Sequence, residues 1–114
     1  METISVEALR TRSFRNLADG ELRLGEGVTL LWGPNGAGNT NLLEALYAAL
    51  AGRSCRTRAD RETIAFGEQL ARAEADVTEG PERREFMFAC ARDEGRPGAV
   101  RTVRRGHLTL IAAV

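Results

Sequence analysis

The residues most able to do chemistry stand together: Gly33-Pro34-Asn35-Gly36-Ala37-Gly38-Asn39-Thr40, between the apolar run Val28-Thr29-Leu30-Leu31-Trp32 and a segment of helical periodicity. Strand, glycine-rich loop and helix in that order make a phosphate cradle. The glycines let backbone N–H groups turn toward an anion, and the helix N-terminus adds partial positive charge. In the pattern G-x-x-x-x-G-K-[ST] the lysine reaches the outer phosphates and the hydroxyl residue ligates Mg²⁺. Gly33, Gly38 and Thr40 fit, with Thr40 as the metal ligand, and Asn39 stands where the lysine belongs. Asparagine is neutral and short, so it brings no point charge to the outer phosphates. The spacing therefore predicts binding held by the backbone, with hydrolysis impaired. A plain βα turn would share the glycines but not the coincidence of strand, loop length, Thr40 and helix.

The flanking elements must position that loop. The run 28–32 reads as a strand buried on both faces. Over 41–50, Leu42, Leu43, Leu46, Tyr47 and Leu50 recur at spacings of three and four and line one helical face, which Gly52 terminates. Alternation predicts strands over 4–12 and 21–24. Period-two stretches at 71–77, 85–92 and 100–104, with turns at 79–81 and 93–98, read as a β-meander. A short apolar piece lies at 64–66.

Composition bounds what such a chain can be. At 114 residues it is one small domain or part of one. Net charge is zero, so no uniformly basic coat or membrane-adhering surface is present and any charge-driven binding is local. The longest apolar run, 45–51, has seven residues, against about 20 for a membrane-spanning helix. The N-terminus lacks the pattern of a signal peptide, which predicts a cytoplasmic protein. Cys55 and Cys90 are far apart and His107 is the sole histidine, so neither a zinc site nor a disulfide is expected. All sixteen basic residues are arginine, which excludes chemistry needing lysine. Arg53, Arg56 and Arg58, with Arg61 close behind, form a dense cluster suited to DNA phosphates, with affinity falling as salt rises. Arg101, Arg104 and Arg105 could extend that surface or form an ordinary solvated face.

Through Gly33 to Gly38, Thr40-Asn41-Leu42-Leu43-Glu44-Ala45-Leu46-Tyr47 and Ala51-Gly52-Arg53-Ser54, the chain closely resembles the RecF family of bacterial recombination and replication-repair ATPases. Phe14-Arg15-Asn16 looks like the family's N-terminal FRN element. Arg53-Ser54-Cys55-Arg56-Thr57 resembles its arginine-rich stretch, with Cys55 where the family often has histidine. Asp60-Arg61-Glu62, Ile64, Gly67 and Ala71-Arg72-Ala73 extend the resemblance to about Val77. It implies an α/β fold, the N-terminal lobe of an ABC-type, SMC-like P-loop ATPase head, with an antiparallel meander beside the P-loop strand and helix. It also implies ATP and Mg²⁺ as cofactors and an ATP-dependent homodimer. Single-stranded or gapped DNA, RecR and RecO would be its partners, in DNA replication, recombinational repair and the SOS response. Residue by residue, Gly33, Pro34, Asn35, Gly36, Ala37, Gly38, Asn39 and Thr40 would form the ATP phosphate loop, with Arg15 and Asn16 near the nucleotide.

Two departures limit what the resemblance implies. One is Asn39; the other is length, since RecF-like proteins are roughly three times longer, enough for a complete head with an inserted arm. Residues 1–114 contain no Ser-Gly-Gly signature. The pair Asp93-Glu94 imitates a Walker-B strand end, but Arg92 before it and Gly95-Arg96-Pro97-Gly98 after it fit an exposed hairpin turn. No catalytic residue is assigned. The expectation is a partial head lacking signature and Walker B, impaired in hydrolysis. The alternatives are a non-hydrolysing nucleotide- or DNA-binding adaptor, or a head fragment of another SMC-like P-loop ATPase.

Overall fold

Alternating small and charged residues build the sheet that everything else rests on. The computed structural model describes residues 4–24, 39–54, 56, 59–93, 95 and 100–105. Strands β1 (Ile4–Arg12), β2 (Gly20–Arg23), β3 (Leu70–Glu79), β4 (Glu82–Arg92) and β5 (Val100–Arg105) pair antiparallel in the order β2-β1-β3-β4-β5. Between β2 and β3 come helix α1 (Asn39–Ala51) and a 3₁₀ turn (Asp60–Thr63). The expected strand 28–32 and the loop 33–38 lie outside the described residues, as do Cys55 and Arg58.

In β3, Ala71, Ala73, Ala75 and Val77 are buried while the residues between them are more open, the period of a half-buried strand. The register sets Ala71, Ala73 and Ala75 opposite Cys90, Phe88 and Phe86 of β4. One sheet face is thus a small-residue track beside an aromatic one, and α1 packs over both strands. The helix answers with Ala45, Ala48 and Ala49, each with 0% exposure, so small residues meet small residues. Phe14 and Phe88 are the largest of the fully buried side chains in the same core, which Phe86 also joins. Cys90 is a buried free thiol whose pKa burial pushes up.

This packing corrects the expected helix face. Leu50 is buried and Leu42 and Leu46 flank the core, but Leu43 is 57% exposed. The alanine track of β3 leaves room for the helix only where the helix also offers alanine, so the leucines lie at the margins. Other bounds shift slightly: α1 begins two residues earlier than its periodicity suggests and β4 three earlier. The 3₁₀ turn had no periodic signal. The two-residue β3–β4 turn is where expected, with Gly80 at φ 57, the positive φ its first central position requires. Asp93 sits in the β4–β5 connection, its Oδ1 accepting from the Gly95 N–H at 3.0 Å, in keeping with turn chemistry. Among the described residues no helix is long and apolar enough to cross a membrane.

The opposite sheet face carries charge. Arg10 of β1 donates from Nη1 and Nη2 to the two carboxylate oxygens of Asp76 at 2.8 and 2.7 Å, and from Nε to Glu74 at 3.0 Å. These hydrogen bonds hold the Asp76 carboxyl below its usual range and raise the Arg10 guanidinium. Arg10→Ala is expected to cost about 1–2 kcal/mol, the upper end for a part-exposed bidentate pair, because it also leaves two β3 carboxylates facing each other. Arg10→Lys should recover less than half, since an ammonium cannot make the fork. Urea unfolding midpoints of the two variants measure both effects.

Candidate nucleotide site

Two residues with unusual backbones prepare the site. Ser13 and Arg15, at the end of β1, take φ of 48 and 46, a region uncommon for side-chain-bearing residues. Hydrogen bonds fix them there. The Ser13 N–H donates to Asp19 Oδ1 at 2.7 Å, the Ala65 N–H to the Ser13 carbonyl at 2.8 Å, and the Arg15 N–H to the Thr63 carbonyl at 2.7 Å. Between them Phe14, bridged to Ile64, is driven into the core. The kinked segment buries its aromatic and turns Arg15 toward α1.

There Arg15 meets Glu44, whose side chain is wholly buried on the second turn of α1. Arg15 Nε donates to Glu44 Oε1 in a short contact, and Arg15 Nη2 to Oε2 at 3.0 Å, a bidentate fork. The Ser54 hydroxyl donates to the same Oε2, and Arg56 Nη1 lies 3.7 Å from Oε1. Ser54 Oγ also accepts from the Arg56 N–H at 3.0 Å. Arg56 Nη1 donates to Asn41 Oδ1, and Asn41 Nδ2 donates to Asn16 Oδ1. Burial pushes the Glu44 carboxyl up, but the bonds from Arg15 and Ser54, with the charges of Arg15 and Arg56, outweigh it and leave the pKa below the ordinary value. Among the described residues no buried side-chain nitrogen or oxygen lacks a partner.

Three stretches separated in the chain, at 14–16, 41–44 and 54–56, thus converge on the first turns of α1. Of the residues singled out in the sequence, Arg15, Asn16 and Arg56 belong to this cluster. Thr40 is exposed beside it in the first turn, and Arg53 is exposed past the helix end. Asn39 opens α1. Gly33, Pro34, Asn35, Gly36, Ala37, Gly38 and Arg58 lie outside the described residues. Arg56, expected to face DNA phosphates, has its guanidinium on Asn41 and Glu44 with its side chain 41% exposed. Sequence reasoning assigned no role to Asn41, Glu44 or Ser54. The available signal was the alanine stripe at 45, 48 and 49, which places position 44 at the edge of the buried side. Chemically, two guanidiniums against one carboxylate leave a net positive charge at a helix N-terminus, an arrangement that attracts anions.

The AAA domain family matches residues 8–104 of this chain. The chain belongs to the AAA-domain family. Over 80 residues this AAA-domain chain is 46% identical to the DNA replication and repair protein RecF of Deinococcus radiodurans, a match covering 70% of the chain and 22% of that protein. A solved structure of the recombination mediator protein RecF with ATP, from the RecFOR pathway, superposes with TM-score 0.70 at 25% identity, covering 90% of this chain and 28% of that one. A structure from work on ATP-driven dimerisation and DNA-stimulated activation of SMC ATPases gives TM-score 0.65 at 17% identity, covering 90% of this chain and 70% of that one, and shows likeness of fold. The resemblance to the N-terminal portion of RecF is borne out, and the fold is that of the N-terminal lobe of an ABC-type ATPase head. The AAA-domain chain spans about a quarter of the length of the RecF proteins it matches.

Proposed function

We propose that this chain is the nucleotide-binding lobe of a RecF-type protein of DNA replication and repair, taking Mg²⁺-ATP on the loop Gly33 to Gly38. The observation that carries this reading is the convergence of the Phe14-Arg15-Asn16, Asn41 to Glu44 and Ser54 to Arg56 stretches on the helix that follows the loop. In it the loop's backbone N–H groups hold the phosphates, Thr40 ligates Mg²⁺, and Arg15 and Asn16 border the nucleotide. Arg53 and Arg58 offer charge to single-stranded or gapped DNA, joined by the exposed part of Arg56. ATP-dependent pairing of two copies, partnership with RecR and RecO, service in the SOS response and a cytoplasmic location complete the proposal. With Asn39 where the lysine belongs, the reading includes ATP binding with impaired hydrolysis.

Calorimetric titration of the full chain with ATP, with and without Mg²⁺, tests the reading. The unaltered chain is expected to bind ATP with impaired phosphate release. Asn39→Lys is expected to tighten ATP binding by about tenfold, roughly 1.4 kcal/mol, by restoring the missing point charge. Thr40→Ala is expected to remove the Mg²⁺ dependence. Absence of ATP binding by both the unaltered chain and Asn39→Lys would sink the proposal.

A further inference from the structure

The sheet face away from α1 answers most of its charge internally. Arg10 binds Glu74 and Asp76, Arg72 shares Glu74, Arg23 lies against Glu21 and Arg83 against Glu7. Arg12 is the exception: it is exposed, and among the described residues no ion pair holds it. The register sets it directly opposite Arg72, a like-charge pair that costs stability until an anion lies between the two. An open depression of about 170 Å³, lined by Arg10, Thr11, Arg12, Arg72 and Glu74, is found at this pair.

Beside it a tight turn carries an aromatic ring into water. Residues 65–68 close with the Glu68 N–H donating to the Ala65 carbonyl at 3.0 Å, and Gly67 takes φ 84, the positive value a type II turn requires at its third residue. Phe66, the second residue, is fully exposed, and Leu70, two positions before Arg72 on β3 and so on the same face, is 38% exposed. Hydrogen bonds pin the turn. The Ala65 N–H donates to the carbonyl of Ser13, the neighbour of Arg12, at 2.8 Å; Arg92 donates from Nε to the Glu68 carbonyl at 3.0 Å and from its N–H to the Gln69 carbonyl at 2.8 Å. A ring held in solvent by a fixed backbone loses little further freedom on docking, and aromatic residues and arginine are the types that interfaces favour.

We propose that this corner docks a protein segment presenting a carboxylate beside an apolar side chain, the carboxylate bridging Arg12 and Arg72 and the apolar group covering Phe66 and Leu70. Charge selects this occupant over a nucleic acid. A phosphate chain running on past Arg12 would meet Glu68 in the turn and Glu74, Asp76 and Glu21 along the face, whereas a single carboxylate meets the opposed guanidiniums. Docking there asks nothing of the nucleotide site.

The test is fluorescence anisotropy of the full chain with an array of short labelled peptides, each carrying one Leu, Phe or Trp flanked by Asp or Glu. Counterparts with Asn, Gln and Ser in those places, and a single-stranded oligodeoxythymidine, are titrated beside them. Acidic-apolar peptides are expected to bind, and to lose about tenfold in affinity on Phe66→Ser. Arg12→Gln should cost about threefold at low salt, a difference that fades at high salt. Arg23→Gln, at the far end of the face, should leave binding unchanged, and thermal unfolding should be nearly the same for all three variants. No binding by any acidic-apolar peptide, equal binding by the neutral counterparts, binding indifferent to both Phe66→Ser and Arg12→Gln, or tighter binding of the oligonucleotide that Arg12→Gln weakens would each overturn the inference. If Phe66→Ser does not fold, Arg12→Glu decides, since it pairs with Arg72 and keeps the strands together: it should abolish binding of the acidic peptides, and retained binding overturns the inference.

Discussion

Glu44→Ala is expected to destabilise the chain by about 3–5 kcal/mol, the cost of removing one partner of a buried ion pair. The alanine would leave Arg15 without its fork and Ser54 without its acceptor, in a region where every buried polar side-chain atom among the described residues is now satisfied. For a domain stable by about 5–15 kcal/mol, a loss of that size removes a large part of the total. Urea unfolding at neutral pH measures it. The same carboxylate sets an acid limit. Its pKa is lower in the folded chain than its ordinary value, so the unfolded chain takes up the proton more readily. The contribution of Glu44 is therefore complete above the unfolded pKa of about 4.3 and is lost as pH falls through the folded value. Asp76, held down by Arg10, acts in the same direction. In the Glu44→Ala protein stability should fall less steeply below pH 4, because one of the two linked groups is gone.

Phe14→Ala is expected to cost about 3–5 kcal/mol through the cavity it opens, and to loosen the nucleotide site as well. Phe14 has 0% exposure and lies between the two left-handed residues Ser13 and Arg15, so its burial adds to their hydrogen bonds in holding the kink that aims Arg15 at Glu44. Phe88→Ala is the control. Phe88 is equally buried in the same core, but it belongs to β4 and bears no covalent relation to the kink. The two variants should lose similar stability by urea unfolding, while ATP affinity, measured where both remain folded, should drop only for Phe14→Ala. Equal affinities would show that the kink is held by its hydrogen bonds alone.

Much of the sheet was legible because its residues alternate cleanly. β1 has the bounds its pattern predicts, the three meander strands lie within a few residues of their period-two stretches, and the β3–β4 turn is where the Gly-Pro signal puts it. The helix was legible as a helix, but its inward face was misjudged. Leucine count favours the side bearing Leu43, whereas the decisive quantity was how near a helix can approach the alanines of β3. Single-element periodicity does not contain that distance. The site was legible in part: Arg15, Asn16 and Arg56 were marked by their motifs, and the structure joins them. Glu44 was not, because a glutamate in an amphipathic helix ordinarily faces water. Its burial follows from two arginines brought from 29 positions earlier and 12 later, a tertiary fact.

The sheet order has a consequence for how the chain reaches this state. The β3–β4 hairpin closes over two residues, whereas β1 must find β3 across an excursion in which Arg10 and Glu74 are 64 positions apart. Loop-closure entropy favours the meander as the early structure and the docking of β1 as a late, slower event. Residues 15, 16, 41, 44, 54 and 56 all lie inside that excursion. The nucleotide site is therefore stitched together by the closing of the longest loop, and its assembly reports that the last strand has arrived.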